Sequence, residues 1–429
     1  MKNLKRKVIQ MRKKAYRATE VKKFNSEDLV KRYSNERIIF GVDAAKTDFY
    51  CNIMDVNRES LVTVKWKHPL ETEQFISLVS QFSESEVALE PSGTYGDPLR
   101  YQLEKHDISV FRVSPKRSHD AAEVYDGVPS LHDAKSAAII SRLHLDGTSE
   151  RWEIKSDHER DLAAVLRSLD VLNQQYIQNT NRLEAQMAKH WPEVGRYVKY
   201  GQVTFLELLR QIGGPFQVAS NEKESYALMK KTGGNFFSST KIEKIIHCSK
   251  RTIGVPMTEG ELVEIKNHAA RTLELYRDIK AIKKKVEHLS QENEAVKNIS
   301  EVVGKSTSAV IVTFCGDPLK YDSSRHWLKS FGLNLKEKSS GQHKGRLMIT
   351  RRGSGRSRRW LYFAVLRLIQ KDETVRAWYQ RKVARDGGIK MKAIIGIMRK
   401  LAKALWYIAR GEKFDTAKLF DRKHLGLAV

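Results

Sequence analysis

The sequence predicts an α/β domain followed by a mostly α-helical remainder. Three patterns carry that expectation. Residues 38–67 hold three short runs rich in β-branched and aromatic residues, separated by brief polar breaks. Residues 71–145 then alternate between helical and extended patterns. From about residue 155 the apolar residues recur at helical spacing instead.

In chain order, residues 1–37 read as a basic, partly helical leader that lacks the apolar core of a signal peptide. It is either an arm gripping phosphates or a solvated tail. The strand runs follow: IIFGVDA (38–44), DFYCNIMDV (48–56) and SLVTVKWK (60–67), in hairpin order. ETEQFISLVSQF (71–82) has helical spacing, EVALEPSG (86–93) is an apolar run ending in a turn, and residues 97–106 are helical. ISVFRVS (108–114) reads as a further strand, and residues 131–145 as a helix.

In the helical part Leu162, Leu169, Tyr176 and Leu183 recur every seven residues, with Leu166 and Met187 beside them. A second stripe runs through Leu275, Ile279, Ile282, Val286, Leu289 and Val296. These suit an antiparallel hairpin, a dimer coiled coil or amphipathic helices in a bundle. Residues 195–262 between them read as a small inserted helical subdomain. TSAVIVTFCGDP (307–318) is an apolar helix stopped by Gly316 and Pro318, and residues 391–409 form a strongly amphipathic helix.

The chain has 429 residues, enough for two or three domains, and a formal net charge of +26. Such a surplus favours polyanions, with nucleic acid the expected partner and a membrane surface the weaker rival. Cys51, Cys248 and Cys315 are far apart and form no CxxC pair, so a zinc site or disulfide framework is not expected and a reducing, cytoplasmic setting fits. No run of 18 apolar residues is present to span a membrane.

Three acids occupy positions where chemistry is expected. Asp43 ends the first strand run, Glu90 ends EVALE, and Asp133 opens a helix in LHDAKSAAII. Acidic residues within apolar strands are costly unless paired or bound to a cation. In an RNase H-like sheet the first and fourth strands lie side by side, so Asp43 and Glu90 would converge and Asp133 would complete a hard oxygen cage. That cage suits Mg²⁺ or Mn²⁺, and two such ions about 4 Å apart clamp both oxygens of a phosphodiester displacement. Each acid also reads as a turn residue or helix cap. GVDAAK resembles the first phosphate loop of actin-like sugar kinases as well, although the further glycine-rich loops of that fold are missing.

A second candidate lies in KSSGQHKGR. Between positions 336 and 359 stand nine Lys or Arg (Lys336, Lys338, Lys344, Arg346, Arg351, Arg352, Arg356, Arg358 and Arg359), one acid, and glycines at 341, 345, 353 and 355. Ser339 and Ser340 among them suit either phosphate contact or nucleophilic attack on phosphorus, with the cations offsetting charge on the transferring group. His343 is near, yet no His–Asp pair stands in register for a hydrolase triad.

These segments together resemble a known family: the insertion-sequence transposases that pair an N-terminal DEDD, RuvC-like domain with a C-terminal catalytic-serine domain, the bridge-RNA-guided recombinases. GVDAAK is similar to the family's first-Asp motif and ALEPSGTYGDPL (88–99) to its Glu motif. RVSPKRSHD (112–120) resembles the segment after the next strand, and EVVGKSTSAV (301–310) the helix–hairpin–helix, with one typical glycine missing. FGLNLKEKSSG (331–341) followed by ITRRGSGRSRRWLY (349–362) resembles its serine motif.

The resemblance implies a RuvC-like domain over 38–150, a helical, coiled-coil-like spacer over 151–298 and a catalytic-serine domain over 299–429. Asp43, Glu90 and Asp133 would bind the metal, and Ser340, just before Gly341, would be the nucleophile that joins covalently to DNA. The family's last two acids stand three residues apart. Here the first of those positions holds Ser130, so Asp126, Ser130 or a water would supply the fourth ligand. The activity implied is DNA cutting and joining by a homo-oligomer, dimer or tetramer, in which metal site and serine form a composite centre. A structured noncoding RNA would choose donor and target. Two other readings fit the same residues: a RuvC-like endonuclease that resolves branched DNA, and a catalytically inactive nucleic-acid-binding protein.

Overall fold

The computed structural model describes residues 16–91, 93–337, 345 and 347–422. It divides into two compact units, Met1–Lys155 and Ser156–Val429.

The first unit is built on a seven-stranded mixed sheet. Its strands are β1 (Ala18–Glu20), β2 (Arg37–Ala44), β3 (Asp48–Met54), β4 (Ser60–Lys67), β5 (Glu84–Glu90), β6 (Ser109–Arg112) and β7 (Glu150–Arg151). Their spatial order is β1-β4-β3-β2-β5-β6-β7. β2, β3 and β4 form the expected antiparallel meander, after which β5 pairs parallel to β2 and β6 parallel to β5. This is the α/β, RNase H-like arrangement expected from the sequence, with the first and fourth predicted strands adjacent. Residues assigned to the leader contribute too: β1 adds a parallel edge to β4, and helix α1 (Glu27–Tyr33) follows it.

Alternation along β2 decides which helix each residue meets. Ile38, Phe40 and Val42 face the larger core with Phe75, Leu99 and Leu103, from α2 (Thr72–Val79) and α3 (Asp97–Lys105). The other face, with Gly41 and Asp43, meets α5 (Asp133–Leu145), which follows the short α4 (Pro115–Asp120). Packing there is tight. A Cβ on Gly41 would lie 2.2 Å from Ser141 Oγ and 2.5 Å from the Ala137 carbonyl, so only glycine lets α5 lie this close to the strand.

The second unit is almost wholly helical. α6 (Asp157–His190) and α11 (Glu259–Leu289) each begin with a reciprocal capping box, Ser156 with Glu159 and Thr258 with Glu261. They pack antiparallel: Gln186 meets His268 and Lys189 meets Glu261. The heptad-like stripes therefore close on each other within one chain. Leu162, Leu166 and Leu169 share a core with Ile279 and Val286, while Leu183 and Met187 share another with Ile265, Ala269 and Leu273. The second stripe breaks at Ser290, and Val296 belongs to the separate helix α12 (Glu294–Val303).

The hairpin tip carries α7 (Val203–Gln211), α8 (Pro215–Ser220), α9 (Glu222–Gly233) and α10 (Ser239–Lys250). At the other end α12 turns at Gly304 (φ 84°) into α13 (Lys305–Cys315). There follow α14 (Ser324–Ser330), a two-stranded ribbon of β8 (Leu335–Lys336) and β9 (Met348–Ile349), α15 (Gly355–Lys371), α16 (Glu373–Arg385), α17 (Lys390–Ile408) and α18 (Thr416–Leu419). The free thiols Cys51, Cys248 and Cys315 are all buried. No described helix is long and apolar enough to cross a membrane.

Candidate functional site

Asp43 and Glu90 are direct partners in the parallel register of β2 and β5, so both carboxylates leave the same face of the sheet. That face is the one covered by α5: Glu86, four residues earlier on β5, bonds His144 of that helix, and Ala88 lies in the core formed with Ile139 and Ile140. Asp133 is the first residue of α5, capped by His132, whose ring accepts from the Lys135 amide. Asp43 and Glu90 are half-buried and Asp133 is exposed, so the group is reachable from solvent.

The three acids feel one another. Burial, then the charge of Glu90, then that of Asp133 push the Asp43 carboxyl up to about 6, against a hydrogen bond from the Ser136 hydroxyl that favours the ionised form. The Tyr50 hydroxyl, on the neighbouring strand, is pushed up by burial and by the Asp133 charge. Among the described residues, no three carboxylate, imidazole or thiol groups stand close enough to enclose a cation as the side chains are posed. The acids thus form an open cluster rather than a closed cage. Its chemistry still fits a hard divalent ion, because every donor is a carboxylate oxygen and the mutual repulsion is what a cation would relieve.

The expected fourth position is organised differently. Lys135, almost fully buried, donates from Nζ to Asp126 Oδ1 (2.9 Å), the Val128 carbonyl (2.6 Å) and the Ser130 carbonyl (3.1 Å). Asp126 also accepts from the Val128 amide and from the Tyr16 hydroxyl. Against the cost of burial, these bonds hold its carboxyl below the usual range. Both Asp126 and the Ser130 backbone are therefore engaged by a lysine. Sequence reasoning missed Lys135, Ser136 and Tyr50. Ser136 was accessible in principle, since it lies three residues beyond Asp133 on the same helix face.

Of the basic residues expected to meet phosphate, Lys338, Lys344 and Arg346 lie outside the described residues, as do Ser339, Ser340, Gly341 and His343. The described ones divide into two sets. Lys336, Arg351 and Arg352 are exposed on and just beyond the ribbon, and Arg359 is half-buried at the start of α15. Arg356 and Arg358 are instead tied to the protein. Arg356 Nε donates to the buried Asp170 of α6, and its guanidinium lies 4.5 Å from the Phe314 ring centroid. Asp170 also accepts from Trp360 Nε1 at 2.6 Å. Arg358 Nη1 donates to the carbonyls of Phe331 (2.7 Å) and Gly353 (3.2 Å), clamping the turn before α15. Protein acceptors thus take Nε of Arg356 and Nη1 of Arg358, and both side chains are half-buried.

Two family models match this chain. One, for the DEDD transposases of the IS110 group and described as a transposase, spans residues 40–192. The other, described as the transposase IS116/IS110/IS902 family, spans residues 299–380. No curated protein matches. The first match contains all three acids of the sheet site, and the second contains α13, the ribbon and α15.

Proposed function

The chain belongs to the IS110-type transposases, and from that premise we propose that it cuts and joins the DNA ends of an insertion sequence through a metal-bound carboxylate site and a serine nucleophile. The observation that carries the reading is the cross-strand pairing of Asp43 with Glu90 beside Asp133, within the segment that matches the DEDD transposases.

In this reading Asp43, Glu90 and Asp133 hold a divalent cation, Mg²⁺ or Mn²⁺. The bound ion supplies Lewis-acid stabilisation of charge on the scissile phosphate. Ser136 keeps the Asp43 carboxylate oriented. The Ser340 hydroxyl attacks phosphorus, forming a serine–phosphate ester as the bond to the leaving deoxyribose oxygen breaks. The serine proton is lost to a base, and the leaving oxygen gains one. Attack by a second DNA hydroxyl on the ester restores the serine and completes joining. Lys336, Arg351 and Arg352 bind backbone phosphates. A structured noncoding RNA selects the DNA sites by base pairing, and two or four copies of the chain assemble on them.

The test incubates the purified protein, with its co-expressed flanking noncoding RNA, on nicked transposon-end DNA and maps any DNA-linked peptide. The expected result is an adduct at Ser340 that requires a divalent ion, is lost in Ser340→Ala and persists in Ser339→Ala. Metal-dependent cleavage by Ser340→Ala, without any adduct, would replace this reading with that of a RuvC-like endonuclease.

A further inference from the structure

The inserted subdomain holds a cavity of about 990 Å³ that the proposed reaction does not use. It is formed where the loop GRYVKYGQ (195–202) folds back against α6 and the start of α10. Three tyrosines, Tyr176, Tyr197 and Tyr200, and three cations, Arg196, Lys199 and Lys241, line it. No Asp or Glu is among the lining residues.

The loop is built to fit. The Tyr176 hydroxyl donates to the Gly201 carbonyl at 2.9 Å and would lie 2.2 Å from a Cβ at that position. The Tyr200 hydroxyl would lie 2.5 Å from a Cβ at Gly195. Both glycines are thus required for the rings to seat where they do. Tyr200 packs with Phe205, 6.3 Å away between centroids, whereas half-buried Tyr197 packs against the subdomain's apolar core with no described ring stacked on it. The cations have no ion pair among the described residues. Glu193, whose carboxylate feels Arg196, gives its oxygens to Thr252 Oγ1 (2.8 Å) and the Ile253 amide (3.0 Å). Lys241 lies over the Phe237 ring at 4.1 Å. Unpaired cations beside an unstacked aromatic face match the two needs of a nucleotide, a charge for its phosphate and a surface for its base.

We propose that this cavity binds one unstacked nucleotide of a single-stranded nucleic acid, its base on Tyr197 and its phosphate between Arg196 and Lys199. Tyr176 and Tyr200 form the walls that fix the loop. The inference takes from the family assignment only that the polyanion is nucleic acid, and it needs neither the metal centre nor Ser340. The occupant is either a looped-out residue of an RNA or an unpaired residue of DNA, because both present a π-face and a phosphate.

The experiment uses the full chain in EDTA, so that a failure of the metal reading cannot affect it. Binding of short single-stranded oligonucleotides carrying 2-aminopurine is followed by anisotropy and by quenching of the analogue, in matched RNA and DNA arms. Tyr197→Ala should weaken binding about tenfold and abolish the quenching, while Tyr197→Phe keeps both, since stacking and not the hydroxyl is required. Arg196→Gln with Lys199→Gln should lower the slope of log affinity against log salt by about 0.7, the value for one phosphate, while leaving residual quenching. Tighter binding in the RNA arm identifies a looped RNA residue as the occupant, and tighter binding in the DNA arm an unpaired DNA residue. Affinity and quenching unchanged in Tyr197→Ala, or a charge effect with no quenching in the parent protein, would overturn the proposal and leave only a solvated basic loop.

Discussion

Asp43 on β2 and Glu90 on β5 face each other across a parallel strand pair, two like charges held in register by backbone hydrogen bonding rather than by any bond between them. The register fixes the two Cβ atoms side by side, and the Glu90 charge, after burial, contributes to raising the Asp43 carboxyl to about 6. Removing one charge should therefore relieve strain while it destroys function. Asp43→Asn is expected to keep or raise the melting temperature, yet to lower metal-dependent strand cleavage by more than about a hundredfold. Added Mg²⁺ should stabilise the parent protein through linkage and not the variant. A variant that melts lower and still cleaves would sink the assignment of Asp43.

The two sets of arginines should separate in a binding assay. Arg351→Gln with Arg352→Gln is expected to leave stability unchanged and to lower the salt slope of DNA binding by about one per lost contact. Arg358→Gln should show the reverse pattern, an unchanged slope and a stability loss of about 1–3 kcal/mol, because three carbonyls lose their shared donor. Denaturant titration alongside binding at several salt concentrations checks both.

Asp170 joins α6 to α15 by accepting from Arg356 and Trp360. Its replacement by alanine leaves a guanidinium and an indole N–H without their partner in a largely buried setting. The expected cost is about 3 kcal/mol in chemical denaturation. A loss below about 1 kcal/mol would mean water substitutes for the carboxylate.

Glu86 predicts an acid limb of stability. His144, then Arg37, hold its carboxyl down at about 2, against 4.5 for an ordinary glutamate, with burial opposing. A depressed folded-state value adds stability that is complete above about 4.5 and fades as pH falls towards about 2. Because the carboxylate is partly solvated, the contribution is on the order of 1 kcal/mol. The difference in unfolding free energy between the parent and Glu86→Gln should shrink across that window, and a constant difference would dismiss the linkage.

The meander of β2–β4 and the carboxyl-end position of Asp43 were legible because short apolar, β-branched runs set off by polar breaks mark strands directly. β1 and β7 were not, since strands of three and two residues carry no periodicity. Lys135 was hidden for another reason: a lysine one turn into a helix looks solvated, and only the fold of the preceding loop supplies the three acceptors that bury it. Arg356 and Arg358 show the converse. Composition marks a basic segment correctly, but which guanidinium finds a protein carbonyl depends on chain distant in sequence, such as Phe331 and Asp170. The stripe that ran on to Val296 erred because heptad spacing survives the break at Ser290 by coincidence.

The contact at Gly41 has a consequence for how the domain can change in length. α5 is fastened to β2 at two points: Ser136 bonds Asp43, and Ser141 sits where a side chain on Gly41 would be. Five helical residues climb about 7.5 Å and two strand residues advance about 6.6 Å, so the helix and the strand are commensurate over this interval and only in this phase. One residue inserted between Ser136 and Ser141 would rotate the helix by about 100° and put Asp133 on another bearing even if Gly41 stayed in contact. The interval itself therefore admits substitution but neither insertion nor deletion.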